Sequence, residues 1–358
     1  MDSNSSSAYS TGPETPAHST LPPNEQLPPV QPPSASFIMQ LFLVPGLIVA
    51  VVVGSMALFG AYGKLFSSEL DWRHVVSELR STNEHRRWRG ANALAQVLQA
   101  DANLGESGQH LSSNEQIAKE LATLLDELLK QPTSDPELIT HQSFVVRTLG
   151  WLDSESIIFP TLINAMQPKN EILIRLDAVE AVAKVAGRKA QTNGSIADKD
   201  VIEQVIECSR DENPLMRQVA AFTLGLLPGD DVDQRLKVMI SDADTNARTN
   251  SAFALARRGA TDGVSVMIDV LKTASLKVDV ASMPGPSEPE KRNQAVKQQE
   301  INGKVLFNTF RAFRELKAKL SDDQRQQALV ECERLAKDSE FLRIRMDAGL
   351  TVSELKSK

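Results

Sequence analysis

At 358 residues the chain has room for two or three ordinary domains, and 39 basic against 46 acidic residues leave a net charge of −7. That balance argues against a surface made for phosphate backbones, so no nucleic-acid partner is expected. A hydrophobic share of 41% with only 5% aromatic residues suits Ala- and Leu-rich helix packing better than strands. Cys208 and Cys332 are too few and too far apart for a disulfide framework or a zinc site, and read as buried thiols.

Residues 1–36 are rich in Ser and Pro and contain no Lys or Arg, which predicts a disordered tail with polyproline II character. From Phe37 to Tyr62 no charged residue occurs. At about 1.5 Å per residue this run crosses a hydrocarbon core of about 30 Å, so residues 37–63 are predicted to be one transmembrane helix. A cleaved signal peptide needs a basic leading segment, and the tail has none. Lys64, Arg73 and Arg80 follow the run while no cation precedes it, which predicts a cytoplasmic repeat domain. Within the run Gly46, Ala50, Gly54, Ala57 and Ala61 form a stripe of small residues. Small-xxx-small spacing permits close helix pairing and hence a homodimer through the span; equally, Gly and Ala are common in all such helices.

Beyond it the pattern is helical. Asp71–Ser81 and Glu84–Gln99 read as a first pair, with His85, Arg86, Arg87, Trp88 and Arg89 favouring a helix first turn over lipid contact and Trp88 packing on the preceding helix. Asn114–Lys130 with Glu137–Trp151, and Ser156–Gln167 with Glu171–Ala186, follow, separated by loops at 100–113 and 187–198. Asn213 then Pro214 reads as an N-cap with proline at the first helical position, where its missing N–H is not needed. From Arg217, residues Ala220, Ala221 and Leu224 share one face, two small side chains and one large. After Gly225, Pro228 and Gly229 comes a second apolar-periodic run, Val232–Ile240, and the unit is a helical hairpin. Thr273–Lys291 carries Pro284, Gly285, Pro286 and Pro289 and reads as a surface loop. A long helix over Gln294–Leu320 follows, with Phe307, Phe310 and Phe313 expected in the core.

The hairpin repeats. Arg248 precedes Ser251, Ala252, Ala254 and Leu255, and Arg175 precedes Ala178, Val179, Ala181 and Val182, at the offsets seen from Arg217. Arg87 and Arg345 extend the series toward both ends, and Gln142 and Gln299 stand where arginine stood in two weaker copies. The tightest anchor separations are about 31 and 33 residues, the length of one two-helix repeat.

These units resemble HEAT repeats, of the HEAT-like kind also found in phycobilisome-lyase relatives. The resemblance implies an all-α fold, an α-solenoid over residues 64–358 preceded by the one transmembrane helix. It also implies that the second-helix arginines bond acidic groups of neighbouring units, for which Asp211 with Arg217 and Asp242 with Arg248 repeat the spacing. Arg87, Arg175, Arg217, Arg248 and Arg345, with Asp211 and Asp242, are thus the expected ladder.

Chemistry is sparse. His18, His74, His85, His110 and His141 are scattered, and no glycine-rich phosphate loop or recognisable nucleophile context occurs. The chain lacks any His-Glu dipeptide, the ligand pattern of HEAT-type di-iron hydroxylases. No catalytic, cofactor or metal site is expected. The expected function is a membrane-anchored, non-catalytic scaffold that binds a protein partner on its concave surface. The alternatives are a HEAT-like enzyme, a bilin-handling (lyase-like) protein, or a structural envelope protein.

Overall fold

The computed structural model describes residues 72–104, 109–130, 134–277, 283–285 and 287–357, all within the unit Glu69–Lys358. The tail over 1–36 and the span over 37–63, with its stripe Gly46, Ala50, Gly54, Ala57 and Ala61, lie outside the described residues. Among the described residues no helix is long and apolar enough to cross a membrane, and no strand occurs.

Among the described residues fourteen α-helices pair into seven hairpins: α1 (Trp72–Leu79) with α2 (Glu84–Leu104), α3 (Glu115–Leu128) with α4 (Pro136–Leu149), and α5 (Glu155–Ala165) with α6 (Ile172–Gln191). Then come α7 (Lys199–Cys208) with α8 (Pro214–Leu224), α9 (Asp230–Met239) with α10 (Thr245–Arg257), α11 (Val264–Thr273) with α12 (Glu288–Leu316), and α13 (Asp322–Asp338) with α14 (Leu342–Lys356). All seven repeat anchors, from Arg87 to Arg345, fall on second helices.

Side-chain caps explain where many of the helices begin. Asn213 accepts from Leu215 N at 2.9 Å with Pro214 in the first turn, Asp135 from Glu137 N at 3.0 Å with Pro136, and Asp244 from Ala247 N at 2.8 Å. Each satisfies a donor the helix itself cannot, worth about 1 kcal/mol. Ser321 and Gln324 complete a reciprocal capping box on α13.

Second helices stack on second helices, and the contact is close because small residues face each other. A Cβ on Gly150 would lie 3.0 Å from Ala181 Cα, and one on Gly225 would lie 2.7 Å from Ala254 Cβ. The first-helix layer is looser, and α7 and α9 leave an open cleft of about 770 Å³ between them. Locally, then, the second helices form the inner side of the stack. Two cores result. Ala254 and Leu255 of α10 join the one that begins at Trp72, while Ala252 and Ala256 of the same helix join the one that ends at Leu355.

Several boundaries differ from expectation. The helix α2 continues to Leu104, and its buried Asp101 accepts the backbone N–H of Leu111 at 2.6 Å, which ties down the returning chain. Gly187, expected to open a loop, lies inside α6, because Arg188 and Lys189 suit a helix C-terminus. Pro289, read as part of the inserted loop, sits in the first turn of α12, where proline is favoured. Phe310 and Phe313 are fully buried, but Phe307 is half-buried beneath the Arg343 guanidinium, 4.5 Å from its ring centre. Trp88 does not pack on α1; it is 59% exposed, and Trp72 fills the core there instead. Both cysteines are buried free thiols.

Candidate functional site

Among the described residues six of the seven anchors, all but Gln299, share one task, and it is local. Arg217 Nη1 donates to the Asp211 and Glu212 carbonyls at 2.9 Å, Arg248 Nη1 to those of Asp242 at 2.6 Å and Ala243 at 3.0 Å, Arg345 Nη1 to Ser339 O at 2.7 Å, and Arg87 Nη1 to Ser81 O at 3.0 Å. Each staples the turn of its own hairpin by satisfying carbonyls that the helix end leaves open. Gln142 does the same with its amide, donating to Leu128 O at 2.8 Å. Glutamine serves here because a carbonyl needs only a donor.

The step between units is a second role that only some anchors perform. Arg217 grips Asp242 of the next hairpin at 2.9 and 3.0 Å, Arg175 bonds Asp211, and Arg87 bonds Glu137. Asp211 and Asp242, which stand six residues before Arg217 and Arg248, each turn back to the arginine of the preceding unit, Arg175 and Arg217. Arg248 meets no carboxylate ahead among the described residues: its Nη2 donates to Thr245 Oγ1 at 3.0 Å, and the next turn is the one that carries the insertion. Burial works to raise the Asp242 pKa, but the Arg217 bond and the Asp244 N–H outweigh it and hold the carboxyl below its usual range.

A further set of arginines escaped the repeat search. Arg188 donates to Gly150 O at 2.6 Å and Leu152 O at 2.8 Å, and Arg258 to Leu227 O at 2.6 Å, so each caps the C-terminus of the preceding second helix. Arg235 on Ser209 O at 2.7 Å and Arg334 on Leu271 O at 2.6 Å do this in the first-helix layer. Arg188 lies thirteen residues after Arg175 and Arg258 ten after Arg248, so no fixed offset marks them.

The second-helix face carries an open surface of its own. Two depressions of about 580 and 250 Å³ lie side by side over α6, α8, α10 and α12 and share Phe222 and Asn250 on their walls; the pair is called the groove. The floor is apolar, with Val219, Leu226, Phe253 and Val305, and Phe222 is 45% exposed. Arg257 leans over the Phe222 ring, 5.6 Å from its centre. Although one flank of Arg257 meets solvent, the surrounding walls bury enough of it to pull its pKa down, with the nearby Arg311 adding and Glu315 opposing. Guanidinium pKa values are high enough that the group stays charged at neutral pH.

A smaller recess of about 120 Å³ lies between α2 and α4 and is lined by Arg87, Trp88, His141 and Phe144. His141 Nε2 has no hydrogen-bond partner, and burial, with Arg87 adding and a backbone bond at Leu79 opposing, lowers its pKa to about 4. Among the described residues no cluster of three His, Cys, Asp or Glu side chains could hold a metal ion. Burial pushes the Cys332 thiol up to about 12, far from a reactive thiolate.

An all-helical stack of hairpins, joined by arginines and open along one face, defines a helical-repeat protein. No protein-family model and no curated protein matches the chain. Solved structures similar to it include YibA of Escherichia coli, 15% identical over 84% of this chain and 97% of that one, with a TM-score of 0.38. The complex of CpcE and CpcF of phycocyanin lyase from Nostoc sp. PCC7120 is 13% identical over 81% and 96%, at 0.42. A designed armadillo repeat protein in complex with the peptide (KR)4 is 14% identical over 80% and 100%, at 0.36. These are HEAT- and armadillo-like helical-repeat proteins, and the likeness is one of repeat arrangement.

Proposed function

We propose that this protein is a non-catalytic scaffold that holds a protein partner in the groove along α6, α8, α10 and α12, and that residues 37–63 anchor it to a membrane with the repeats on the cytoplasmic side. The groove carries the reading: its apolar lining is drawn from four successive hairpins, and an exposed phenylalanine stands where its two depressions meet. Stacked hairpins offer such a surface without any reaction. Confinement of the partner at the membrane follows from the uncharged run over 37–62.

The test compares two charge insertions in the full chain, solubilised in detergent. Phe222→Glu should release a co-purifying protein that Val330→Glu retains, because Val330, 52% exposed on α13, belongs to the other layer. Equal retention by both would remove the groove from the function. For the anchor, alkaline extraction should leave the intact chain in the membrane pellet and release a chain lacking 37–63; release of both would end that part of the reading.

A further inference from the structure

We propose, building on the scaffold reading, that the groove takes an acidic peptide segment: a carboxylate flanked by apolar side chains, with Arg257 as its anchor. The groove reverses the sign of the chain. Against a net charge of −7, its walls present Lys184, Arg257, Lys304 and Arg311 and only Glu180 and Glu315. Glu315 is engaged by Arg311 at 2.7 Å, and Lys304 by Glu300 at 2.8 Å.

Arg257 stands apart from its neighbours. Between Arg175 and Arg258, every other arginine bonds a carbonyl or a carboxylate: Arg175, Arg188, Arg210, Arg217, Arg235, Arg248 and Arg258 all do. Arg257 makes no hydrogen bond or ion pair among the described residues: its guanidinium lies over the Phe222 ring and beside Gly225, with Glu315 attracting it only at longer range. Its guanidinium lines the recess beside Gly225 of α8 and remains open to solvent, a placement that a planar carboxylate would complete by two parallel bonds. Phe222 and the 55% exposed Ile301 flank that point, which supplies contact for apolar side chains on both sides of the carboxylate. A basic segment would meet Arg257 and Lys304 head on. A nucleic acid needs a longer run of unpaired cations than the groove offers.

The experiment is a selection of random phage-displayed dodecapeptides on the full chain in detergent, followed by affinity measurement on one selected peptide. Expected are peptides with Asp or Glu within a few residues of an aromatic or branched apolar side chain. Replacing that carboxylate by its amide should weaken binding to the wild type at least tenfold and leave binding to R257Q, already weakened tenfold, unchanged. This cycle is indifferent to any small change in stability from the substitution. If binding is lost in F222E but the carboxylate and Arg257 do not couple, the groove reading stands and the acidic anchor falls. Peptides insensitive to both F222E and R257Q would overturn the groove itself. Enrichment of Lys- or Arg-rich peptides, or a dimer of this chain that F222E disperses, would assign the groove to another occupant and overturn the proposal.

Discussion

Arg217 and Asp242 meet in a two-pronged ion pair across a repeat junction, Nε to Oδ2 at 2.9 Å and Nη2 to Oδ1 at 3.0 Å, while Arg217 Nη1 stays on the turn of its own hairpin. One side chain therefore fixes both the fold of a unit and its step to the next. Among the described residues Arg248 performs only the first task.

The two arginines should consequently differ in worth. Arg217→Ala is expected to destabilise the repeat stack by about 2–3 kcal/mol, since it leaves a nearly buried carboxylate unpaired, and Arg248→Ala by about 1 kcal/mol, the scale of ordinary hydrogen bonds. Thermal unfolding of both variants, with Asp242→Asn completing a double-mutant cycle, measures this. Equal losses would mean that the inter-unit bond contributes nothing.

Acid should erase that difference. Asp242 titrates below the usual carboxylate range in the folded protein, so its contribution is present above the unfolded value of about 3.9 and is lost as pH falls through the folded value. The penalty of Arg217→Ala, measured by denaturation, is expected to hold between pH 5 and 7 and to shrink below about pH 4. A penalty independent of pH would place the energy of the contact in the carbonyl bonds instead.

Packing between second helices gives the next prediction. Ala220 and Ala252 are fully buried, and a Cβ on Gly225 would lie 2.7 Å from Ala254 Cβ and 3.2 Å from its Cα, which cannot swing aside. Gly225→Ala and Ala252→Leu should each cost about 1–3 kcal/mol by overpacking, whereas Gly187→Ala, with nothing within 4 Å of the added carbon, should be neutral or slightly stabilising. Melting temperatures of the three variants decide it, and tolerance of the first two would mean that neighbouring helices shift freely.

How much of this the sequence disclosed depends on what each residue touches. The anchors, the small-residue faces and the Asn213–Pro214 cap were legible because they obey a fixed offset within one hairpin. The partner of each aspartate was not, since spacing alone cannot say whether Asp242 turns to Arg248 six residues on or back to Arg217 in the previous unit. Arg188 and Arg258 were hidden for a related reason: they serve the end of a neighbouring helix whose position only the stacked structure provides. The groove escaped too, because Phe222, Asn250 and Arg257 become neighbours only when α8 and α10 lie side by side.

The recess between α2 and α4 sets the last expectation. His141 is half-buried there, its Nε2 without a partner among the described residues and close enough to Arg87 that a second positive charge would be repelled, and its pKa is lowered to about 4. In the unfolded chain the same imidazole titrates near about 6.5, so between these values the unfolded state binds more protons than the folded one. Stability linked to neutral His141 is therefore fully present above about pH 6.5 and declines as pH falls toward 4, by on the order of 2 kcal/mol once partial solvation is allowed for. His141→Leu removes the titration but keeps an apolar filling beside Phe144. The variant should match the wild type within about 1 kcal/mol at pH 7 and exceed it at pH 4.5, because only the wild type must then expel a proton to fold. Unfolding followed by circular dichroism at the two pH values gives the comparison, and a wild-type minus variant difference that does not change with pH would show that His141 takes up its proton in the folded protein as readily as in water.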